Sequence, residues 1–343
     1  MATTSQPTLI QWIFDTRPWF SSATQTRHLP TDPQAQRIMA LLPPSETASA
    51  LKYYHVRDAK MSLASSLIKH LAIAHLSPRT PWHATTITRD ARTKPTWIDP
   101  TTSTTPIAFN VTHQAGIVAL IAIPCPSPSL PVEVGIDLVC TSERRARDHE
   151  LILSEGWLHF VAMHADVFSP REAAYLKHEV LSAVPGLVSP SGGPSAVLDG
   201  KLRAFYALWA LREAYVKLTG EALLAEWLQE LEFRGFRPVA PTAGWAVPAR
   251  EEEAETKEDG ERKRYGAQAI NNPEVWFKGR RVDDVNMSLR AMGEDYMICT
   301  AVRTPGRKEV ALGWKLRPYR VLDLDDMLEF AEGRASEGDG SWV

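Results

Sequence analysis

Cysteine is scarce in this chain, and the few cysteines present are not paired along the sequence. The 343 residues include Cys125, Cys140 and Cys299, which lie far apart and form no C-x-x-C motif. An odd number of scattered cysteines argues against a disulfide framework and against a zinc knuckle. The sequence therefore predicts a protein of a reducing compartment.

Long apolar runs and a strong net charge are also missing. The longest apolar run, "AGIVALIAIPC", is too short to span a bilayer, and the N-terminal "MATTSQPTLIQWIF" has no basic region before an apolar stretch. The formal net charge of -3 provides no basic field for nucleic acid. We therefore expect a cytoplasmic protein that binds neither membrane nor nucleic acid, in which any anion site is local.

What the chain does contain is an ordinary globular composition, with 44% hydrophobic and 23% charged residues, enough for one large domain or two smaller ones. "ETASALKYYHVRDAKMSLASSLIKHLAIAH" predicts one long amphipathic helix, "IAFNVTHQAGIVALIAI" a hairpin turning near 114–116, and "VEVGIDLVC" a strand. In "FSPREAAYLKH", Ser169 and Glu172 predict a capping box with Pro170 at the first helical position. The charge run "REEEAETKEDGERKR" indicates a solvated insertion at about 248–265.

The two halves of the chain resemble each other loosely, since each combines one long helix with several strands. A Pro- and Ser-rich segment divides them near Pro124 to Pro131. This arrangement predicts an α+β fold of two similar α/β subdomains, residues 1–130 and 131–330.

The helical stretch "WALREAYVKLTG" carries charge where the surrounding residues are apolar. Trp209, Glu213 and Lys217 recur every fourth residue and so form one stripe along the helix. An ordinary i,i+4 ion pair, worth about 0.2 to 0.5 kcal/mol on an exposed helix, is one explanation. The apolar surroundings favour another, because buried charges are costly unless they meet a metal, an anion or each other.

A second carboxylate, Asp137, lies at the end of "VEVGID" after Gly135. Alone it is better explained as a turn or capping aspartate. Together with Glu213 it predicts a Mg²⁺ site, because Mg²⁺ commonly takes one or two protein carboxylates and fills its remaining positions with water and substrate phosphates. Lys217 is then placed to neutralise those phosphates.

The first half contains basic residues that could complete an anion site. They are Arg57 and Lys60 in "RDAK", Arg89, Arg92 and Lys94 in "RDARTKP", and His113 at the end of "FNVTH". Each alone is explained as a solvated charge or, for His113, as a hydrogen-bonded turn histidine. Combined with the carboxylates of the second half, they suggest a polyphosphate ligand between the two halves.

Six segments in this order, "RDAKMSLASSLIK", "RDARTKP", "FNVTHQ", "VGID", "FSPRE" and "WALREAYVK", closely resemble the 4'-phosphopantetheinyl transferases of the large, pseudo-dimeric, Sfp-like class, and the fungal members in particular. The resemblance runs from about Ala50 to Phe236, and "VGID" followed by W-x-x-x-E-x-x-x-K is its specific part. It implies two subdomains related by a pseudo-twofold, with the active site at their interface, in a monomeric protein.

The resemblance also implies an activity. Enzymes of this class are holo-[acyl-carrier-protein] synthases: they transfer phosphopantetheine from coenzyme A to a serine of acyl or peptidyl carrier domains and release adenosine 3',5'-bisphosphate. Such carriers belong to fatty acid, polyketide and nonribosomal peptide synthases and to the aminoadipate reductase of lysine biosynthesis.

Site residues follow from the same resemblance. Asp137 and Glu213 match the Mg²⁺ ligands, and Lys217 matches a phosphate-contacting lysine. The residues expected to bind coenzyme A are Arg57, Arg89, Arg92, Lys94, Asn110, Thr112, His113 and Lys217. Glu213, Lys217 and His113 are the expected catalytic residues. On chemical grounds separate from the resemblance, Glu213 is the candidate that takes the serine proton, directly or through water.

The chain departs from the family pattern at three positions. Val139 replaces a third acidic ligand of bacterial members, so that water or the pyrophosphate must take that coordination position. Arg212 replaces a lysine, which keeps the charge. Thr93 replaces a glycine before Lys-Pro, which can reshape the adenine loop.

The carrier is expected to dock an acidic helix against the second half, near Arg212, Lys217, Arg171 and Lys177. Two alternatives to the transferase stay open on the residues alone. A noncatalytic module that binds coenzyme A or a carrier would not need two acids to hold a polyanion. A metal-dependent nuclease usually has its lysine two residues after the acid and a basic face.

Overall fold

The chain forms two units in the computed structural model: Met1–Ile136 with Arg317–Val343, and Asp137–Leu316. The structure describes residues 9–125, 127, 130–183, 193–221, 225–242, 269–316 and 318–337. The charged insertion predicted at 248–265 lies outside the described residues. No helix in the described ranges is both long and apolar enough to cross a membrane.

A four-stranded sheet forms the centre of the first unit, in the order β13-β1-β5-β4. Its strands are β1 (Ile10–Asp15), β4 (Ile107–Gln114), β5 (Ile117–Pro124) and β13 (Arg320–Val321). β1 pairs with β5 antiparallel and with β13 parallel. The short strands β2 (Thr88–Arg89) and β3 (Pro95–Thr96) form a separate ribbon.

The predicted hairpin is confirmed by β4 and β5. Its turn residues Ala115 and Gly116 have φ angles of 49° and 88°, the left-handed conformation that two-residue hairpin turns require. A Cβ on Gly116 would lie 2.4 Å from Cγ of Arg17, so that glycine is also needed for a close approach.

The first unit has four helices in its described residues, of which one packs on the sheet and the other three pack against that helix. They are α1 (Pro33–Ala40), α2 (Pro44–Ala50), α3 (Val56–Leu76) and α10 (Leu324–Ser336). The long helix α3 packs against β4 and β5 through fully buried residues such as Leu63, Leu67 and Ile68. The first unit also has short 3₁₀ turns at Thr26–Thr31 and Trp82–Ala84.

The prediction of a single long helix beginning near Glu46 is wrong, because the structure divides it into α2 and α3. The break falls at Leu51 to His55, where Tyr53 is 44% and Tyr54 90% exposed. Consecutive aromatic rings are weak helix formers, and these two bury little apolar surface that could hold them in a helix.

The second unit contains a four-stranded sheet in the order β6-β12-β11-β8 and a three-stranded sheet in the order β10-β9-β7. The strands are β6 (Glu133–Cys140), β7 (Leu231–Arg234), β8 (Ala269–Asn271), β9 (Glu274–Phe277), β10 (Arg280–Val282), β11 (Val285–Met292) and β12 (Tyr296–Arg303). β6 begins in the first unit and ends in the second.

Six helices accompany these sheets in the described part of the chain. They are α4 (Arg145–Glu155), α5 (Trp157–Ala162), α6 (Pro170–His178), α7 (Val180–Ala183), α8 (Pro194–Thr219) and α9 (Lys308–Gly313). A 3₁₀ turn spans Leu228–Glu230. The predicted capping box of α6 is confirmed, with Ser169 and Glu172 bonded reciprocally. α8 packs on β11 and β12. Its C-terminal capping residue is Gly220, whose φ of 74° suits a left-handed cap.

The division of the chain differs from the predicted one in two ways. The boundary falls between Ile136 and Asp137 rather than at 130, within β6. The C-terminal segment belongs to the first unit and not to the second, because β13 pairs with β1 and because Leu328 of α10 is fully buried in the first core.

Candidate active site

Two elements of the second unit bring the predicted carboxylates and lysine together. α8 carries Glu213 and Lys217 one turn apart, and β6 carries Asp137. Nζ of Lys217 lies 2.8 Å from Oδ1 of Asp137, which is 80 residues away in sequence. Lys217 is therefore bonded across elements to Asp137, which a simple surface pair along the helix does not explain.

The electrostatics of this cluster favour a cation. Burial and the charge of Asp137 together raise the pKa of Glu213 to about 7, and Lys217 opposes that shift only in part. A neighbouring carboxylate raises the pKa of a carboxyl group because it repels the charged form. The raised pKa of Glu213 therefore shows that the single ammonium of Lys217 does not balance both carboxylates. A divalent cation would remove this imbalance.

The donor set fits Mg²⁺, since Asp137 and Glu213 both offer hard carboxylate oxygens. Val139 is 4% exposed and packs in the core of the second unit, so it takes no part in ligand binding. In the described ranges, no group of three His, Cys, Asp or Glu side chains is arranged to hold a metal ion. Two protein carboxylates would therefore hold the cation, and water and phosphate oxygens would complete its coordination.

A cavity of about 570 Å³ lies within the first unit, between α2, α3 and the β2–β3 ribbon. Of the residues predicted to bind coenzyme A, it brings together Arg89 and His113. Its other polar lining residues are Ser45, Glu46, Ser49, Lys52, Tyr53, Ser62, Ser65, Ser66, Lys69 and Thr88. The cavity therefore combines several cations with many hydroxyl groups, the chemistry that suits a phosphorylated ligand.

Lys69 is a lining residue that the sequence analysis missed. Burial lowers its pKa, while Glu46 opposes the shift and Arg89 adds to it. A signal was present in the sequence: Ser62, Ser65 or Ser66, and Lys69 follow helical spacing on α3 and so form one small, polar stripe. Small residues beside a lysine on an otherwise apolar helix leave room for a ligand.

Glu46 is the acidic member of the cavity, and it is bonded to a buried histidine. Its Oε1 lies 3.3 Å from Nε2 of His70, whose Nδ1 lies 2.8 Å from Oγ1 of Thr85. Burial alone would raise the pKa of Glu46, but the hydrogen bond and charge of His70, with smaller effects of Ser66 and Lys69, outweigh it and bring the pKa to about 2. Glu46 is therefore held as an anion beside the cavity.

Four of the basic residues predicted in the first half lie outside the lining of this cavity, namely Arg57, Lys60, Arg92 and Lys94. Arg57, at the start of α3, is 64% exposed, and its Nε lies 3.6 Å from Asp58. Arg92 is exposed in the turn between β2 and β3, where its backbone N–H donates to Asp90. Lys60 is buried and donates to the carbonyl of Trp19, so it is not the solvated cation that its sequence position suggested.

Asn110, Thr112 and Lys94 are predicted to contact coenzyme A, and in the structure Asn110 and Lys94 are bonded to the backbone of β6. Asn110 and Thr112 are each 6% exposed on β4, and Oδ1 of Asn110 accepts the N–H of Ile136 at 3.1 Å. Nζ of Lys94 donates to the carbonyl of Val134 at 2.8 Å. Burial lowers the pKa of Lys94 to about 8. Asn110 and Lys94 thus each use a polar atom to hold β6, and their contact with coenzyme A stays a prediction.

Thr93 occupies the turn where the family pattern has glycine. Its φ angle is 63°, which is in the left-handed region that β-branched residues disfavour. Its carbonyl accepts a 2.6 Å hydrogen bond from Arg89, and its N–H donates to the carbonyl of Asp90. The loop therefore keeps a glycine-like backbone despite the threonine.

The expected role of Arg212 in carrier docking is wrong. Its side chain is fully buried and donates to Glu172 at 2.5 Å and to the carbonyls of Leu231 and Leu228. Glu172 also accepts N–H groups of Ser169 and Phe233. A guanidinium enclosed in this way joins α8 to α6 and β7 and is inaccessible to a partner protein.

Comparison with known proteins gives the family. Residues 27–125 match the N-terminal domain of 4'-phosphopantetheinyl transferase, and residues 133–268 match the 4'-phosphopantetheinyl transferase superfamily. 4'-Phosphopantetheinyl transferase 1 of Fusarium mangiferae is 40% identical over 96% of this chain and 97% of its own length. The chain belongs to the 4'-phosphopantetheinyl transferase family.

Two further fungal relatives agree over most of the chain. 4'-Phosphopantetheinyl transferase NpgA of Emericella nidulans is 34% identical, over 94% of this chain and 93% of its own length. 4'-Phosphopantetheinyl transferase A of Aspergillus fumigatus is 35% identical, over 91% of this chain and 86% of its own length. The resemblance inferred from six short motifs is thus confirmed across both units.

Proposed function

We propose that this phosphopantetheinyl transferase takes the 4'-phosphopantetheine group from coenzyme A and attaches it to a serine of carrier protein domains, with Mg²⁺ as cofactor. The observation that carries the proposal is the Asp137, Glu213 and Lys217 cluster, where two carboxylates and an ammonium meet on β6 and α8. Family membership supports the same reaction and argues against both a nuclease and a noncatalytic binding module.

The reaction requires three things from the protein. The serine oxygen attacks the β-phosphorus of the coenzyme A pyrophosphate, the bond from that phosphorus to the bridging oxygen breaks, and adenosine 3',5'-bisphosphate leaves. The pyrophosphate charge must be neutralised, the attacking oxygen must be in line, and the serine proton must be removed. Mg²⁺ held by Asp137 and Glu213 would supply part of the charge neutralisation.

The chain's own side chains supply the rest. Lys217, 28% exposed, is placed to contact a phosphate oxygen while it remains beside Asp137. Glu213 is proposed to accept the serine proton, directly or through water, while it holds the cation. His113 is an exposed residue of β4 that lines the first unit's cavity, and we assign it a hydrogen bond to a coenzyme A phosphate.

The first unit's cavity is proposed to take the phosphorylated end of coenzyme A. Arg89 and Lys69 provide its cationic groups, and the serines of α3 provide hydroxyl donors. Contacts of Arg57, Arg92, Lys94, Asn110 and Thr112 with coenzyme A stay predictions from the family resemblance. So do the pseudo-twofold relation of the two units and a transfer site at their interface.

Carrier docking is proposed for α6 of the second unit. Arg171 is exposed and Lys177 is half-buried on this helix, so both can meet an acidic partner, unlike Arg212. A cytoplasmic location and a monomeric state likewise remain predictions.

The test is to incubate the protein with coenzyme A, Mg²⁺ and an apo carrier domain and to weigh the carrier by mass spectrometry. A gain of one phosphopantetheine group is expected, and an unmodified carrier contradicts the proposal. Asp137→Ala and Glu213→Gln should each abolish the gain, because each removes a metal ligand. Asp199→Asn is the matched control, since this partly exposed acid of α8 pairs with Arg145 and should be dispensable. Near-normal transfer by either ligand variant at saturating Mg²⁺ would contradict the metal site.

A further inference from the structure

Strand β6 holds the carboxylate of Asp137 and lies at the end of its sheet. In the described part of the chain, β12 is its neighbour on one side, and no strand lies beyond it on the other. The N–H of Thr141, directly after β6, donates to the carbonyl of Asp295, directly before β12. Odd-numbered residues of β6 therefore direct their backbone groups toward β12, because these groups alternate between the two edges of a strand.

Even-numbered residues direct theirs to the opposite edge, and two of them are held there by side chains of the first unit. The N–H of Ile136 donates to Oδ1 of Asn110 at 3.1 Å, and the carbonyl of Val134 accepts from Nζ of Lys94 at 2.8 Å. All four of these residues belong to the first unit. The outer edge of β6 thus has two side-chain bonds where a neighbouring strand would otherwise supply backbone bonds.

The bond to Ile136 ends at the peptide directly before Asp137. Asn110 is 6% exposed and lies on β4, whose backbone is held by pairing with β5 along its whole length. A buried peptide N–H without an acceptor is unfavourable by about 1 to 3 kcal/mol. β6 would therefore shift or twist if Asn110 lost its acceptor oxygen, and the carboxylate of the next residue would move with it.

We propose that Asn110 is a positioning residue for Asp137, with Lys94 as a second attachment of the same strand edge. This inference rests on the proposed function, because it assumes that Asp137 binds a divalent cation. It gives Asn110 a role different from the coenzyme A contact that the family resemblance implies. Residues that hydrogen-bond directly to metal ligands typically change metal affinity by about 10- to 100-fold when they are replaced, and we expect the lower end of that range for Asn110, which acts through the backbone.

Asn110→Leu and Asn110→Asp distinguish the two roles. Leucine has a similar volume and no acceptor, whereas aspartate keeps an oxygen for the N–H of Ile136 but loses the amide donor. Asn286→Leu is the matched control: Asn286 is also 6% exposed on a strand, but it donates to the carbonyl of Trp314 and lies on β11, which β12 separates from β6 in the sheet. A general loss of stability should affect Asn110→Leu and Asn286→Leu alike.

Two readouts without coenzyme A test the proposal. The first is Mn²⁺ affinity by electron paramagnetic resonance, with Mn²⁺ as the probe for the Mg²⁺ site. The second is hydrogen exchange at the amide of Ile136. We expect Asn110→Leu to weaken Mn²⁺ about tenfold and to accelerate exchange, Asn110→Asp to restore both, and Asn286→Leu to change neither.

Each other outcome overturns one specific statement. Unchanged Mn²⁺ affinity in Asn110→Leu, or equal loss in Asn110→Asp, contradicts the positioning role. A raised Michaelis constant for coenzyme A in both Asn110 variants, with Mn²⁺ affinity unchanged, assigns Asn110 to the substrate instead. A wild-type protein that binds no Mn²⁺ contradicts the proposed metal site itself, and this is seen before any variant is measured.

Discussion

Lys217 is the residue at which catalysis and packing are most easily separated. Its ammonium is bonded to Asp137, and its side chain is 28% exposed. Lys217→Met keeps the length of the side chain and removes its charge. We expect transfer to fall by about a hundredfold or more, because a charge aimed at the reacting phosphate acts mainly in the transition state.

The measurement is the single-turnover rate of carrier modification at saturating coenzyme A. Lys201→Met is the matched control on the same helix, since Lys201 lies over the ring of Trp157, at 5.5 Å from its centroid. Normal rates in both variants would show that Lys217 has only a packing role.

Thr93 gives a second prediction at the scale of one residue. A β-branched side chain at a φ of 63° is strained, by about 1 to 2 kcal/mol relative to glycine. Glycine increases the entropy of the unfolded chain by about 0.4 to 1 kcal/mol, which offsets part of that gain. We therefore expect Thr93→Gly to raise the free energy of unfolding by about 0.5 to 1 kcal/mol, measured in urea. Thr93→Ala, which keeps a Cβ, should gain less.

Between elements, the pair of Glu172 and Arg212 joins α6, α8 and β7. Both side chains are buried, and burial raises the pKa of Glu172 despite the charge of Arg212. Replacing one member of a buried pair typically destabilises a protein by about 3 to 5 kcal/mol, because the other charge is left without a partner. We expect losses of that size in Arg212→Met and Glu172→Gln.

The double variant tests the coupling between the two residues. It should be clearly more stable than the sum of the two losses predicts, because no charge is then left alone. Urea unfolding of the four proteins measures this. Strict additivity would show that Arg212 stabilises the unit through the carbonyls of Leu228 and Leu231 rather than through Glu172.

The cavity between α2, α3 and the β2–β3 ribbon predicts a difference between two arginines. Arg89 lines the cavity and Arg57 does not, although the motifs alone assigned both to the phosphates. A hydrogen bond to a charged group contributes about 1.5 to 3 kcal/mol. Arg89→Ala should therefore raise the Michaelis constant of coenzyme A by about tenfold or more, and that of dephospho-coenzyme A less. Arg57→Ala should have a smaller effect, and a larger effect than that of Arg89→Ala contradicts this use of the cavity.

For the molecule as a whole, Glu46 links stability to pH. The pKa of Glu46 is about 2 in the folded protein and 4.5 in its ordinary state, because His70, Ser66 and Lys69 together outweigh burial. A carboxyl group whose pKa is lower in the folded protein than in the unfolded chain stabilises the folded protein at pH values above the unfolded pKa. This contribution is lost as the pH falls from about 4.5 to 2. A shift of that size corresponds to about 3 kcal/mol.

Glu46→Gln should therefore be less stable than the wild type at pH 6 by an amount of that order. The difference should shrink as the pH falls below about 4, and urea unfolding at several pH values measures it. Thr47→Val changes the neighbouring side chain on α2 without changing a titratable group. It is the control and should show no such pH dependence. A constant difference between Glu46→Gln and the wild type would mean that the His70 contact does not depend on the charge of Glu46.

The sequence by itself determined the local elements and the family. Alternation predicted the hairpin of β4 and β5, the capping box predicted the start of α6, and the four-residue spacing placed Glu213 and Lys217 on one face of α8. These features depend on residues close together along the chain, where backbone geometry and side-chain periodicity decide the outcome. The six motifs identified the family for the same reason, since each is a short local pattern.

Only the tertiary structure decided which distant groups meet. It bonded Lys217 to Asp137, enclosed Arg212 beside Glu172, placed Asn110 against Ile136, and added the C-terminal segment to the first unit through β13 and α10. The partner of a charged side chain depends on how helices and sheets pack, and packing is fixed by many weak contacts across the whole core rather than by the residues beside it in sequence. For that reason, the sequence indicated the chemistry of the candidate site, whereas the fold determined which residues bind, which position others, and which are buried as structure.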